Sequence, residues 1–185
     1  LSKFPEPPDP ESLASISPEK KVLGAGTILW RIYFQSGKHP TSWNRFRDFG
    51  PTTARFDHQL APARRQSRKI LYAAENGPTC FAEVFQETRV IDRARSTPWL
   101  VAFALGRAVT LLDLTGAWPT RAGASTAIQG LWYCSSMDAN RVAVALYERA
   151  GSAVPARPVF HRALSDAALA TPIARAAVRF GYAVV

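Results

Sequence analysis

The sequence predicts an α+β fold: a single domain with a curved, mostly antiparallel sheet flanked by helices. Three observations lead there. Short runs of branched and aromatic residues recur along the chain with strand-like alternation. They are interrupted by segments with helical spacing of apolar residues. The two kinds alternate irregularly, without repeated βαβ units. A chain of 185 residues with 47% hydrophobic and 20% charged residues can bury a substantial core, so a disordered polypeptide is excluded.

Residues 1–20 read as an arm, because Pro5, Pro7, Pro8, Pro10 and Pro18 deny it regular hydrogen bonding. The domain is expected over 21–185. Thr27–Phe34 reads as a strand. Its even positions (Ile28, Trp30, Ile32, Phe34) look like core, and the opposite face presents Arg31 and Tyr33 together. Residues 36–52 read as a loop rich in Gly and Pro, followed by a short strand at Ala54–Asp57 and another at Lys69–Ala74. Pro78 suits the first turn of a helix running to Thr88, with Cys80, Phe81, Val84 and Phe85 on its apolar face and Glu83 at the border. Leu100–Leu105 and Val109–Leu114 read as strands. Asp138 is placed as the N-cap of a helix over Ala139–Ala150, closed by Gly151. Pro158–Ala163 is extended, Ser165 opens a short helix and Pro172 another, and Gly181 stops it before a last strand, Tyr182–Val185.

No stretch approaches the ~20 apolar residues of a membrane span, and the N-terminus lacks the pattern of an export signal. The expected location is the cytoplasm, with no membrane contact. Cys80 and Cys134 have no metal-type spacing and are expected as reduced, buried thiols. His39, His58 and His161 show no ligand spacing, so no metal is expected. The net charge of +9 attracts nucleic acid, acidic proteins or phosphorylated small molecules. Seven basic residues between Arg45 and Lys69 face only Asp48 and Asp57, which leaves a choice between a solvated face and a phosphate-binding one.

The common nucleotide and hydrolase motifs are absent. There is no phosphate loop, no dinucleotide fingerprint, no His-Glu-x-x-His and no Gly-x-Ser-x-Gly. What remains is a set of polar residues embedded in apolar segments: Arg31, Arg55, Tyr72, Glu83, Ser135 and Ser136. Each has a plain structural alternative. Arg31 and Glu83 could form a buried ion pair, Tyr72 could be a core aromatic, and the serines could make a turn.

Taken in order, these residues resemble the RES domain, a family named for its Arg, Glu and Ser. The resemblance rests on Arg31 near the first strand, Arg55–Phe56, Leu71-Tyr72-x-Ala74, Ala82-Glu83-Val84, Leu112-Asp113-Leu114 and Tyr133-x-Ser135-Ser136. It implies an ADP-ribosyltransferase-like fold and an enzyme that consumes NAD⁺ as substrate, with no cofactor. It further implies the toxin half of a bacterial toxin–antitoxin pair, with a cognate Xre-like antitoxin. The nicotinamide–ribose bond would be cleaved by phosphorolysis or hydrolysis, or ADP-ribose would pass to a protein. Inorganic phosphate is thus a partner on one branch, and a homodimer is left open. Glu83, Arg31, Ser135 and Tyr72 are the implied catalytic residues; Arg55, Tyr33 and Ser136 would bind substrate. Two rivals stand beside this reading. One is a basic nucleic-acid-binding domain using Arg45–Lys69 with Phe46, Phe49 and Phe56 interleaved. The other is a catalytically dead module of the same shape, against which the retained Arg, Tyr, Glu and Ser argue.

Overall fold

The branched and aromatic run Ile28–Phe34 and the apolar second half of Arg64–Ala74 build two adjacent interior strands of the sheet. A computed structural model describes residues 18–115 and 128–185. In chain order the elements are β1 (Lys20–Leu23), β2 (Ile28–Phe34), β3 (Arg47–Gly50), β4 (Arg64–Ala74), α1 (Gly77–Phe85), β5 (Val90–Ile91) and β6 (Pro98–Ala104). Then follow β7 (Val109–Asp113), β8 (Gly130–Cys134), β9 (Val142–Tyr147), β10 (Phe160–Ala163), α2 (Ala170–Phe180) and β11 (Ala183–Val184). Short 3-10 helices occupy Glu148–Ala153 and Ala167–Leu169. The fold is α+β, one domain dominated by sheet.

Nine strands form one sheet in the order β1-β7-β8-β9-β4-β2-β6-β10, with β3 added to β4. All its pairings are antiparallel except β7–β8, so the sheet is mixed. A separate two-stranded parallel sheet joins β5 to β11. Strand β4 is long enough to take different partners along its length. Its first half pairs with β3 and its second half with β9. Only Trp30 opposite Ala74 joins β2 to β4. Beyond that pair the two strands part.

Alternation along the strands divides the core. Leu29, Tyr33, Leu71, Ala73, Val101, Phe103, Val144 and Leu146 form one cluster on one face. On the other face, Ile32 and Leu100 pack with Cys80, Phe81 and Phe85 of α1 and with Ile173, Ala176 and Ala177 of α2. A third cluster gathers Ile70, Leu131, Tyr133, Ala143 and Ala145, covered by Phe56 and Tyr72. The β2 face that carries Arg31 is therefore as well packed as its reverse: Leu29 and Tyr33 are buried there, beneath Trp43.

Several expectations are corrected. Residues 142–147 are the strand β9, not a helix over Ala139–Ala150. Asn140 takes a left-handed backbone at φ 63° that closes a turn. The run Val-Ala-Val-Ala-Leu-Tyr is then paired on both edges, by β8 and β4. Two-sided pairing overrides the helix preference of its alanines. Ala54–Asp57 is a turn, and the strand lies earlier, at Arg47–Gly50, inside the expected loop. The expected helix to Thr88 stops at Phe85, and Ser165 begins no helix. Instead Asp166 caps the Ala167–Leu169 turn, which runs into α2. Strands β1, β5 and β8 were not foreseen. Cys134 is exposed, whereas Cys80 is buried, and neither is bridged. The Pro-rich arm expected over 1–20 lies almost wholly outside the described residues, and Lys20 already belongs to β1. Among the described residues no helix is long and apolar enough to cross a membrane.

Gly130 begins β8 where β9 passes closest. A Cβ there would sit 2.2 Å from the Ala145 carbonyl oxygen and 3.0 Å from Leu111 Cδ2. Gly130→Ala should therefore destabilise the domain by about 1–3 kcal/mol through overpacking. Urea denaturation checks this, and an unchanged midpoint would mean that β8 can shift away from β9.

Candidate active site

The parting of β2 from β4 leaves a cavity of about 1030 Å³. Its walls include Arg31 and Ile32 of β2, Tyr72 to Ala74 of β4, Glu83 of α1, Tyr133 of β8, and Ser136 after it. The 38–55 segment supplies Arg45 and Arg55. Of the residues singled out in the sequence, Arg31, Arg55, Tyr72, Glu83 and Ser136 meet here. Ser135 lies just behind the wall and reaches it through Glu83. Tyr33 does not line the cavity. Its hydroxyl faces away, bonded to His161 Nε2 at 2.7 Å and to Gln35 Nε2 at 3.0 Å.

Glu83 is set by its helix. Asn76 caps α1, its side chain accepting the Thr79 N–H at 2.9 Å, and Pro78 suits the first turn. Cys80, Phe81 and Phe85 bury one face, which leaves Glu83 half-buried on the flank toward the cavity. Its Oε1 accepts the Ser135 hydroxyl at 2.5 Å. Ser135 is buried, and its oxygen accepts the Met137 and Asp138 N–H groups at 3.1 and 2.9 Å. A hydroxyl has two lone pairs and one proton. With both lone pairs taken by the backbone, the proton is committed to Glu83. Among the described residues no group bonds Glu83 Oε2, so one carboxylate oxygen remains open to a ligand.

Arg31 Nη1 donates to the Trp43 and Arg45 carbonyls at 2.8 and 3.2 Å. Its other nitrogens have no partner among the described residues. Its enclosed position lowers its pKa to about 10, against the opposing influence of Tyr33 and Cys80, so it stays charged at neutral pH. Arg31 and Glu83 do not pair with each other. The buried-ion-pair alternative is therefore not what the structure contains.

Arg55 is exposed at the rim, with its guanidinium 5.1 Å from the Phe56 ring centre and no carboxylate partner among the described residues. Its turn is clamped. Tyr72 Oη accepts the Phe56 N–H at 3.3 Å. Asp57 is ion-paired with Arg47 and accepts the Thr52 N–H and hydroxyl at 2.6 and 2.7 Å. Burial alone would raise the Asp57 carboxyl, but these donors outweigh it and hold it below the ordinary range. Burial also pushes the Tyr72 and Tyr133 hydroxyls up, with Asp57 and Glu83 respectively adding to it, so both stay neutral. The Cys80 thiol is pushed up by burial and by Glu83, which makes it a poor nucleophile.

Tyr133 and Asp57 were missed in the sequence. Tyr133 shares the inward parity of Leu131 on β8 and packs 4.4 Å from Phe56. That signal exists only once β8 is recognised as a strand. Asp57 looked like one of two acids diluting a basic run, although its side chain is 4% exposed. The same basic run is partly neutralised: Arg65 makes a two-pronged contact with Asp48 at 2.8 and 2.9 Å. Of the three interleaved phenylalanines, Phe49 is exposed, while Phe46 and Phe56 pack against core clusters. Among the described residues no group of three or more His, Cys, Asp or Glu is placed to hold a metal.

A family model described as the RES domain matches residues 28–167, about three quarters of the chain. No match was found among curated proteins or among solved structures.

Because its pKa is depressed in the folded state, the Asp57 carboxylate contributes its full stabilisation above the unfolded value, about pH 4. That contribution is lost as pH falls through the lower folded value. Asp57→Asn should cost about 1–2 kcal/mol at pH 7, with the deficit shrinking as pH falls below the ordinary carboxylate range. Denaturation curves across that range check it, and a deficit that does not change with pH would refute the assignment.

Proposed function

The chain belongs to the RES-domain family, and from that premise we propose that its cavity cleaves the nicotinamide–ribose bond of NAD⁺. RES domains are a toxin–antitoxin type of domain associated with NAD-utilising enzymes. The observation that carries the reading is that an unpaired guanidinium and a carboxylate with one free oxygen line the same cavity. Leaving opposite charges apart in a partly desolvated space is unfavourable unless a ligand meets both. A dinucleotide does so, with an anionic pyrophosphate and a ribose that becomes cationic during cleavage.

In this mechanism the C1′–N bond of the ribose breaks, and its electron pair leaves with the nicotinamide nitrogen. The pyridinium becomes a neutral ring, so no general acid is required. The ribose passes through an oxocarbenium-like state, as in glycoside cleavage. Glu83 stabilises that charge and accepts a ribose hydroxyl on Oε2, while the Ser135 hydroxyl holds Oε1. Arg31, oriented by two carbonyls, and Arg55 hold the pyrophosphate. Tyr72 and Tyr133 border the nicotinamide ring. Ser136, exposed on the wall, is available to the carboxamide or to the acceptor. The acceptor oxygen, from phosphate or water, bonds to C1′; with water, a proton is released.

On the same reading the protein is the toxin of a bacterial toxin–antitoxin pair, depleting NAD⁺ in the cytoplasm until a protein antitoxin covers the site. The fold is read as ADP-ribosyltransferase-like on the strength of the family. A phosphate-contacting groove gives Glu83 no role, and Arg47 and Arg65 of the basic run are already ion-paired with Asp57 and Asp48, which is why the basic-domain rival is set aside.

The test is incubation of the purified protein with NAD⁺, with and without phosphate, and identification of products. Glu83→Gln should retain most NAD⁺ binding and lose about a hundred- to a thousandfold in single-turnover rate. Arg31→Ala should also raise KM, because the pyrophosphate is charged in the ground state and the transition state alike. A folded Glu83→Gln protein that cleaves NAD⁺ at the wild-type rate would end this mechanism.

A further inference from the structure

Helix α2 contributes no group to the cavity, yet one of its side chains is connected to both supports of Glu83. Arg179, in its last turn, is ion-paired with Asp138 Oδ1. The Asp138 side chain is 2% exposed and that of Arg179 47%. Asp138 Oδ2 accepts the Thr79 hydroxyl at 2.8 Å. Thr79 lies in the first turn of α1 and shares the Asn76 cap: Asn76 Oδ1 accepts its N–H at 2.9 Å and lies 2.9 Å from its hydroxyl oxygen, whose single proton goes to the Asp138 carboxylate. The Asp138 N–H is one of the two donors that occupy the Ser135 oxygen, at 2.9 Å. One buried residue thus holds the start of the helix that carries Glu83 and, separately, the serine that bonds its carboxylate. This is not the capping role that the sequence suggested for Asp138.

A carboxylate buried this deeply needs a cation. Among the described residues Arg179 is the one paired with it. Arg179 also lies beyond residue 167, where the match to the family model ends. It is on the exposed side of the pair, at the helix C-terminus where a cation is favoured anyway.

We propose that Arg179 and Asp138 are positioning residues for Glu83: the Arg179–Asp138 pair fixes the Ser135–Asp138 turn against the first turn of α1 and so sets the direction of the Glu83 carboxylate. The kinetic part of this proposal rests on the NAD⁺-cleaving reading. Its structural part does not. A merely structural pin between α2 and the sheet would make a different prediction, lower stability with unchanged turnover per folded molecule.

The test uses the full chain with Arg179→Gln, a half-exposed site at which the fold should survive, and Arg179→Lys as the conservative rescue. Two quantities are measured: single-turnover NAD⁺ cleavage with KM, and amide hydrogen exchange at Met137 and Asp138 in the unliganded protein. Arg179→Gln should lose about ten- to a hundredfold in rate, because misdirection of one group by a fraction of an ångström acts on the transition state, with KM changed by less than about twofold. Exchange at Met137 and Asp138 should quicken by about tenfold or more while Val144 and Leu146 in β9 keep their protection. Arg179→Lys should recover most of both. Unchanged exchange at Met137 and Asp138 overturns the proposal. So does faster exchange with an unchanged rate, or a loss of protection that extends through β9. If the wild-type protein leaves NAD⁺ intact, the cleavage reading falls and the exchange result alone decides whether the pair positions Glu83.

Discussion

The site depends on a single backbone fact: β2 and β4 share one register pair, Trp30 with Ala74, and then separate. Strands that separate inside a sheet leave peptide groups and side chains that something must cover. On the β4 side, β3 takes over the pairing of the first half. On the β2 side, the chain after Phe34 folds back, with the Thr41 N–H on the Phe34 carbonyl at 2.9 Å. Trp43 then enters the core beside Phe103. Arg31 stands at the gap and bonds the carbonyls of that returning segment. The cation of the site is thus also part of what holds the opening in shape.

Keeping Arg31 and Glu83 apart has a cost that the fold meets locally. Arg31 is satisfied on one nitrogen by neutral carbonyls, which lower its desolvation penalty without cancelling its charge. Glu83 is satisfied on one oxygen by a neutral hydroxyl. Elsewhere the molecule does pair its buried charges, Arg47 with Asp57 and Arg179 with Asp138. The contrast within one chain gives the unpaired residues their meaning. Those ion pairs hold a loop and a helix, whereas Arg31 and Glu83 keep unused donor and acceptor capacity on the wall of one cavity.

The supports of the site come from distant parts of the chain. Glu83 depends on Ser135, 52 residues away, and Arg55 depends on Tyr72 through a backbone N–H. The apolar packing of α1 against β2 and α2 brings these groups within reach. The hydrogen bonds then select among rotamers that hydrophobic contact alone leaves equivalent. Tyr182, whose hydroxyl donates to the Ala82 carbonyl at 3.1 Å, adds a further tie between α1 and the C-terminal segment.

Local pattern determined a good part of this protein. Strand β2 follows from alternation, β6 and β7 from an apolar stretch broken at Gly106, the start of α1 from Pro78, and the end of α2 from Gly181, whose φ of 67° few other residues adopt. The polar residues stranded in apolar runs marked Arg31, Tyr72, Glu83 and Ser136 as neighbours in one cavity, because burial of an unpaired polar group is rare without a reason. Tertiary structure decided the rest. Val142–Tyr147 became a strand because two edges were waiting to pair with it, which no window of sequence records. Tyr33, on the same strand face as Arg31, turned to His161 because β10 and β6 supplied a partner there. Asp138 became a junction rather than a cap because Thr79 and Arg179, 59 and 41 residues away, converge on it. Periodicity reports which side of an element is buried; which groups meet on that side is set by register and topology, and those exist only in the folded chain.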